Sequence, residues 1–288
     1  MKKLIEVAHS PDADDIFMYM AIKFGWVGSS FLEFSSRSDD IESLNLATLR
    51  GEYDVSAISF ALYPYIKNDY ALLNTAVSFG EGYGPKLIRK KEHQLKPNFK
   101  VALSGEHTTN ALLFRAYYPK ARVVYMNFLD IQEAVLSGKV DAGVLIHESI
   151  LDFDSSLCVE KELWDIWCEL GGDGLPLPLG GMAIRRSIPL TDAIEAQRVL
   201  SKAVEVATKH KKLLSQMLLA RGLVRVDEIK LDKYLDLYAN KESITLSDIQ
   251  LQALNRLYKI GFDAKFYDQP IDINNYLIPT EYEKIRFS

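Results

Sequence analysis

The chain has 288 residues, of which 48% are hydrophobic and 25% charged, as in an ordinary soluble globular protein. Its 34 Lys and Arg against 39 Asp and Glu give a net charge of −5 without a basic block, which argues against nucleic acid or an anionic membrane as the main partner. The composition therefore favours a small-molecule partner, and the length allows two modest domains.

The N-terminus carries two lysines, as signal peptides do, but its apolar run at 4–8 is short and interrupted by Glu6. The sequence contains no run of about 18 apolar residues, so no membrane span is predicted. We therefore expect a cytoplasmic protein that has no membrane partner. Cys158 and Cys168 match no zinc spacing, and we expect free, buried thiols.

Strand-like and helix-like segments alternate along the chain, which indicates an α/β fold with mainly parallel sheets. The patterns predict, in chain order, a strand over 3–10, a helix over 14–26, a strand over 31–37, a helix over 39–52, a strand over 53–60, a strand over 99–103 that leads into a helix, and a strand over 140–146. The last third is mainly helical, over 194–218 and 231–262.

A short internal repeat favours two lobes of similar build. "LRGEYDVSAIS" at 49–59 matches "LSGKVDAGVLI" at 136–146, each a helix end, a glycine turn and an apolar strand. Glycine- and proline-containing passages before and after the second copy are suited to crossovers between lobes. We therefore predict a first lobe formed by 1–97 and 178–288, an inserted second lobe at 98–177, and a ligand cleft between them.

Ligands of open α/β sheets bind beyond the carboxyl ends of the strands, so polar residues at those ends are candidates. The segment "HSPDADD" at 9–15 follows the first strand, and Ser and Asp are also preferred helix N-caps. A single cap does not require three aspartates. We expect Asp14 or Asp15 to cap the helix and Ser10 and Asp12 to lie nearer the ligand.

Three further strand ends carry candidates. Ser59 can donate to a ligand carboxylate or cap the following helix, and "TTN" at 108–110 can bind an anion or cap its own helix. His147 follows the strand over 140–146; an unperturbed pKa near 6.5 suits a general base, although a lone histidine can equally be structural. The chain contains no P-loop, dinucleotide fingerprint, nucleophile elbow or HExxH motif, so phosphoryl transfer, hydride transfer and serine or zinc hydrolysis lack their usual parts.

Five segments together resemble the 1,4-dihydroxy-6-naphthoate synthase family of the futalosine pathway to menaquinone: "HSPDADDIFMYMAI", "YDVSAISFALYPYI", "GEGYGP", "SGEHTTNALL" and "VDAGVLIHES". The resemblance extends from the first strand to at least residue 185. It implies a type-2 periplasmic-binding-protein-like fold with two α/β lobes. It also implies a carbon–carbon lyase that converts cyclic dehypoxanthine futalosine to 1,4-dihydroxy-6-naphthoate and dihydroxyacetone, and that needs no metal or organic cofactor.

The resemblance also implies roles for individual residues. The family's proposed base falls on His147, and its ligand-contacting serine and threonine fall on Ser59 and on Thr108 or Thr109, with Asn110 beside them. Two alternatives remain open. One is chorismate dehydratase, from the same pathway and fold; the other is a non-catalytic solute-binding protein, against which the absence of a signal peptide argues.

Overall fold

The computed structural model of the chain describes residues 2–224 and 226–282. Its strands are β1 Lys3–His9, β2 Leu32–Ser38, β3 Val55–Ser59, β4 Tyr70–Leu72, β5 Ser78–Gly80, β6 Lys86–Lys90, β7 Lys100–Leu103, β8 Arg122–Tyr125, β9 Ala142–Leu145, β10 Leu157–Glu162 and β11 Leu177–Arg185. The α-helices are α1 Ala13–Lys23, α2 Ile41–Leu49, α3 Tyr63–Ile66, α4 Thr109–Tyr117, α5 Ile131–Leu136, α6 Leu163–Trp167, α7 Leu190–Lys209, α8 Lys211–Ala220, α9 Glu228–Tyr238 and α10 Asp248–Asp263. Short 3-10 turns lie at Phe60–Leu62, Phe128–Asp130, His147–Ile150, Lys241–Ser243 and Ile273–Asn275, and a π-helical turn lies at Cys168–Gly172.

The strands form two sheets, and each sheet is the centre of one lobe. The sheet of the first lobe has the order β2-β1-β3-β11-β4, with β5 also paired to β11. The sheet of the second lobe has the order β8-β7-β9-β6-β10. The two-lobed α/β fold predicted from the sequence is therefore confirmed.

The internal repeat corresponds to equivalent parts of the two lobes. In the first lobe α2 ends at a glycine turn, Gly51, and leads into β3; in the second α5 ends at Gly138 and leads into β9. Both glycines have a positive φ, 69° and 76°, which glycine adopts without a steric penalty. β3 and β9 are each the central strand of their sheet, and residues at or just beyond their carboxyl ends, Ser59 and His147, line the same cleft.

The expectation of mainly parallel sheets is wrong. Pairing is parallel among β1, β2 and β3 and among β7, β8 and β9, but β6, β10 and β11 join their neighbours in the antiparallel direction. In chain order, β6 and β11 are the first strands after the chain passes into the other lobe. The crossover into β6 at 81–85 contains no helix, whereas the one into β11 contains α6 and the π-helical turn; both deliver the chain to the new sheet in the opposite direction.

The lobe boundaries stay a prediction, and the sheets bear on one of them. The chain leaves the first sheet after β5 at Gly80 and enters the second at β6, Lys86, which lies before position 98. It returns to the first sheet at β11, which begins at Leu177. The "GEGYGP" passage at 80–85 is therefore where the strands change sheet.

The C-terminal helices complete both lobes. Helix α1 packs its buried face, which includes Phe17 and Met20, against α7, α8 and α9, while α10 contacts β11 and α4. Within the described residues no helix is long and apolar enough to cross a membrane. Cys158 and Cys168 are free, as predicted, but they are partly exposed rather than buried.

Candidate active site

The carboxyl ends of β1, β3, β7 and β9 meet at one cavity between the lobes, which contains about 760 Å³ free of protein atoms, including its mouth. This volume suits a small organic ligand. All of the site residues predicted from the sequence line it: Ser10, Asp12, Ser59, Thr108, Thr109, Asn110 and His147. Sequence reasoning missed several other lining residues, among them Asp14, Ser78, Ser104, Leu179, Tyr234 and Tyr238.

The segment between β1 and α1 forms the acidic end of the cavity. Asp12 occupies the N-cap position of α1 but makes no capping hydrogen bond; instead its carboxylate accepts a hydrogen bond from the Ser10 hydroxyl. Asp14 and Asp15 lie inside the first turn, and Asp15 accepts from the backbone N–H of Ser10 at 2.8 Å. The expectation that Asp14 or Asp15 is the N-cap is wrong, because the helix begins one residue before Asp14.

Asp12 links the two lobes across the cavity. Its Oδ2 lies 2.9 Å from Nδ1 of His147, which belongs to the second lobe. The neighbouring Glu148 accepts a hydrogen bond from the backbone N–H of Ala13 at 3.2 Å. Asp12 is only 2% exposed, so the ion pair lies in a poorly solvated environment where it is stronger than at the surface. This contact occupies Nδ1 and leaves the second ring nitrogen of His147 for other partners.

That nitrogen is Nε2, which is buried and has no hydrogen-bond partner among the residues that the structure describes. A buried polar atom without a partner usually carries a functional explanation. His147 also has a positive φ of 55°, a conformation that costs a non-glycine residue about 1–3 kcal/mol and that clusters at functional sites. Both observations indicate that the ring is held ready for a ligand.

The pKa of His147 differs from the sequence expectation. Burial lowers it, but the charge of Asp12 and the hydrogen bond to Asp12 raise it more, so that the pKa reaches about 9. The expectation of an unperturbed pKa near 6.5 is therefore wrong, because no sequence pattern showed that Asp12 pairs with this ring. At neutral pH the ring of the ligand-free protein is mainly the cation.

Asp14 is a different kind of carboxyl group. It is 7% exposed, and its Oδ1 accepts a hydrogen bond from the Tyr234 hydroxyl of α9 at 3.3 Å. Burial, together with the charges of Asp15 and Asp12, raises its pKa well above the usual value. Asp12 and Asp14 are thus close in sequence but differ in their partners: Asp12 contacts the His147 ring, whereas Asp14 contacts a tyrosine hydroxyl.

Helix α9 closes one side of the cavity with Tyr234 and Tyr238. It contacts the first lobe through Asp14 and the second lobe through Lys230, whose Nζ lies 2.5 Å from Oδ2 of Asp152. The helical C-terminal third showed no recognisable motif in the sequence, so its contribution to the cavity could not be found there. The aromatic character of α9 is the one signal that the sequence contains.

A second part of the cavity lining carries hydroxyl and amide groups. Ser59 ends β3, and its hydroxyl and backbone N–H are both bonded to the Asn45 side chain, at 3.1 and 3.0 Å. Ser59 makes no capping hydrogen bond to the turn that follows. Its side chain is therefore oriented by α2 and lies on the cavity wall.

Thr108, Thr109 and Asn110 open α4 on the same wall. Thr108 is the N-cap and accepts from the backbone N–H of Ala111 at 3.3 Å, as the capping alternative predicts. The Thr109 hydroxyl contacts the first lobe: it donates to the Leu179 carbonyl at 2.9 Å and accepts from the Ala61 N–H at 3.2 Å. Because all three side chains also line the cavity, capping and ligand binding are compatible here.

The two ends differ in charge, which orients an anionic ligand. The carboxyl groups of Asp12, Asp14 and Asp15 disfavour a ligand carboxylate at one end, whereas the N-terminus of α4 carries a partial positive charge at the other. Across residues 2–224 and 226–282, no group of three or more His, Cys, Asp or Glu side chains is arranged to hold a metal ion.

Structural comparison identifies the class of the protein. The alkanesulfonate-binding protein of Xanthomonas axonopodis superposes with a TM-score of 0.68 at 10% identity, over 95% of this chain and 97% of that one. The ligand-binding component of an import system from Staphylococcus aureus gives 0.70 at 10% identity, over 98% and 99%. This chain has the two-lobed periplasmic-binding-protein-like fold, with its cavity between the lobes.

Sequence comparison identifies the family. The family model described as menaquinone biosynthesis matches residues 5–263, so the chain belongs to that family. Two 1,4-dihydroxy-6-naphthoate synthases are similar to it: that of Streptomyces coelicolor is 29% identical over 88% of this chain and 91% of its own, and that of Thermus thermophilus 26% identical over 88% and 92%. A crystal structure from Archaeoglobus fulgidus is 33% identical, with a TM-score of 0.84, over 91% of this chain and 98% of that one.

Proposed function

We propose that this chain is a cytoplasmic 1,4-dihydroxy-6-naphthoate synthase, a lyase that converts cyclic dehypoxanthine futalosine to 1,4-dihydroxy-6-naphthoate and dihydroxyacetone. The observation that carries the proposal is the ion pair of Asp12 and His147 across the cavity, with the second ring nitrogen of His147 buried and without a partner among the described residues. The names of the two bacterial relatives supply the product, 1,4-dihydroxy-6-naphthoate, and the substrate is the one that the resemblance implies.

His147 is the proposed general base. In its neutral form, Nε2 takes a proton from the bicyclic substrate, and the electron pair of the broken bond drives cleavage of a carbon–carbon bond. The pair released by that cleavage stays on the ring system, which regains a proton as it becomes the aromatic product. Asp12 holds Nδ1 and stabilises the imidazolium that forms, as the aspartate of a catalytic triad does.

The substrate carboxylate is proposed to bind at the end of the cavity formed by Ser59, Thr108, Thr109 and Asn110. Hydrogen bonds to a charged group contribute about 1.5–3 kcal/mol each, and the N-terminus of α4 adds an attraction of the same sign. Placed there, the carboxylate meets neutral hydrogen-bonding groups rather than the carboxyl groups of Asp12 and Asp14. The reacting part of the substrate then lies against His147.

The test is a direct assay. Purified protein is incubated separately with cyclic dehypoxanthine futalosine and with chorismate, and the products are separated by chromatography with mass detection. We expect 1,4-dihydroxy-6-naphthoate and dihydroxyacetone from the first substrate only. Dehydration of chorismate would instead favour the sister enzyme, and recovery of unchanged ligand from saturated protein would favour a solute-binding protein.

The base assignment needs its own variant. His147→Asn removes the ring, yet asparagine tolerates the left-handed backbone at this position better than alanine does. We expect the folded variant to lose activity by a factor of about 10²–10⁴, the usual contribution of a general base. Turnover near the wild-type rate would show that another group takes the proton.

A further inference from the structure

Glu42 makes a second contact between the lobes, away from Asp12. It lies in the first turn of α2 in the first lobe, and its carboxylate reaches the loop before α4 in the second. The backbone N–H groups of Glu106 and His107 donate to it at 3.0 and 3.2 Å, and Nδ1 of His107 lies 2.8 Å away. The carboxylate also raises the pKa of His107 through this hydrogen bond.

Gly105, in the same loop as Glu106 and His107, leaves the space that the Glu42 side chain occupies. A Cβ added to Gly105 would overlap the Oε2, Cδ and Cβ atoms of Glu42. Gly105 does not have a positive φ, so its conformation does not require glycine; the close approach of the Glu42 side chain does. The loop and the carboxylate are thus fitted to each other across the cleft.

The same carboxylate is connected to both halves of the hydroxyl-lined wall. On the first lobe, the Asn45 side chain donates to Glu42 at 3.3 Å and holds Ser59 through two further hydrogen bonds. On the second lobe, His107 directly precedes Thr108. Glu42 is therefore placed to set the distance between Ser59 and Thr108.

We infer that Glu42 is a positioning residue, which clasps the α4 loop, holds the cleft closed and so sets the spacing of the groups that bind the substrate. Glu42 does not line the cavity, so it acts through Asn45, Ser59 and Thr108. The kinetic consequence rests on the proposed function, whereas the effect on closure does not.

Hydrogen exchange tests the clasp without any substrate. Two amides elsewhere in the cleft donate across it: Ala13 to Glu148 and Ala61 to Thr109. In Glu42→Ala and in Gly105→Ala, which displaces the side chain without altering it, we expect faster exchange at Ala13 and Ala61 as well as at Glu106 and His107. Faster exchange confined to 105–108 would reduce Glu42 to a local loop contact and overturn the inference.

Steady-state kinetics with cyclic dehypoxanthine futalosine provide the second readout. If the closed state is populated about ten times less, the apparent KM rises about tenfold while kcat at saturation changes little. Glu42→Gln keeps an acceptor oxygen and should recover most of the loss, and Glu33→Ala, on the exposed face of β2, is the matched control that should behave as wild type. An unchanged KM in both Glu42→Ala and Gly105→Ala would contradict the inference.

The two readouts separate the inference from the proposed function. A wild-type protein that turns over no substrate, but whose variants show the wider exchange, would keep the clasp and reject the synthase assignment. An active wild-type protein whose variants are unchanged in both measurements would support the synthase assignment and reject the clasp. Where Glu42→Ala fails to fold, Gly105→Ala, which leaves the carboxylate in the chain, decides the question.

Discussion

The loops after β1 and β7 occupy equivalent places, since each follows a strand that lies between the central strand and an edge strand of its sheet, and each leads into a helix. The β1–α1 loop carries carboxylates and receives His147 from the other lobe. The β7–α4 loop presents hydroxyl, amide and backbone N–H groups and receives the Glu42 carboxylate from the other lobe. One supersecondary plan thus forms an acidic, proton-handling end and an anion-binding end.

The two loops differ in their side chains rather than in their backbone plan, and the side chains determine which loop is suited to bind an anion. Both loops open a helix, and both helix N-termini attract negative charge. At α1 that attraction is met by Asp14 and Asp15 in the first turn of the helix, whereas α4 has no acidic residue in its first turn. Only the α4 end is therefore suited to a ligand carboxylate.

The largest expected effect comes from breaking the acidic end. Asp12→Asn keeps the shape of the side chain but removes the charge that holds His147 and raises its pKa. We expect kcat to fall by about a thousandfold, within the range for disabled acid–base catalysis. Asp263→Asn, at an exposed pair on α10, is the control; a kcat within threefold of wild type would remove Asp12 from the mechanism.

The pH dependence of kcat/KM tests whether His147, at the acidic end of the cavity, acts as a base. Because the general base must be neutral, kcat/KM should increase about tenfold per pH unit below about 9 and level off above it. In Asp12→Asn, kcat/KM should level off at a lower pH, since the charge that raises the pKa of His147 is gone. An activity that instead falls as pH rises through 9 would make His147 a proton donor.

The same titration affects stability. The pKa of His147 is raised in the folded state from 6.5 to about 9, so the cation stabilises the fold fully below pH 6.5, and this stabilisation is lost as pH rises through 9. The urea midpoint of wild type should fall between these values more than that of His147→Asn. Equal changes in the two proteins would show that the pair is not formed in solution.

Changes at the hydroxyl-lined end of the cavity should affect KM more than kcat. Thr108→Val removes a hydroxyl from the cavity wall and the cap of α4. We expect KM to rise about tenfold, equivalent to about 1.4 kcal/mol, with kcat within about twofold. Thr108→Ser keeps the hydroxyl and should stay close to wild type; a large fall in kcat with unchanged KM would place this residue at the reacting atoms.

The smallest effect is expected at Asp14. Its pKa is raised by burial and by neighbouring carboxylates, so the surroundings disfavour the charged form and the neutral amide of Asp14→Asn should be well tolerated. We expect the melting temperature to stay the same or to rise by about 2 °C, because like charge is removed. A clear loss of stability in scanning calorimetry would show that Asp14 is ionised in the fold.

The sequence predicted the main parts of the fold and the cavity. Strand ends can be located from apolar runs followed by polar residues, and this pattern alone places Ser10, Asp12, Ser59 and His147 at strand ends that line one cavity. The strand directions were predicted less well, because apolar runs such as β6 and β11 carry no signal for the direction in which they pair.

The missed features depend on contacts between distant parts of the chain. Nothing near position 42 or 107 indicates that Glu42 and His107 meet, and the Asp12–His147 pair joins residues from different lobes. The pKa of His147 could not be predicted for the same reason. Tyr234 lies in a helix whose pattern indicates only an amphipathic surface.

Helix α9 touches both lobes, at Asp14 through Tyr234 and at Asp152 through Lys230, and this has a kinetic consequence. A molecule that passes between α9 and either lobe must first break one of these two contacts. Tyr234 and Tyr238 of this helix line the cavity, although they are far from His147 in sequence. Changes at Lys230 or Tyr234 therefore bear first on how fast ligands exchange, and only then on how fast they react.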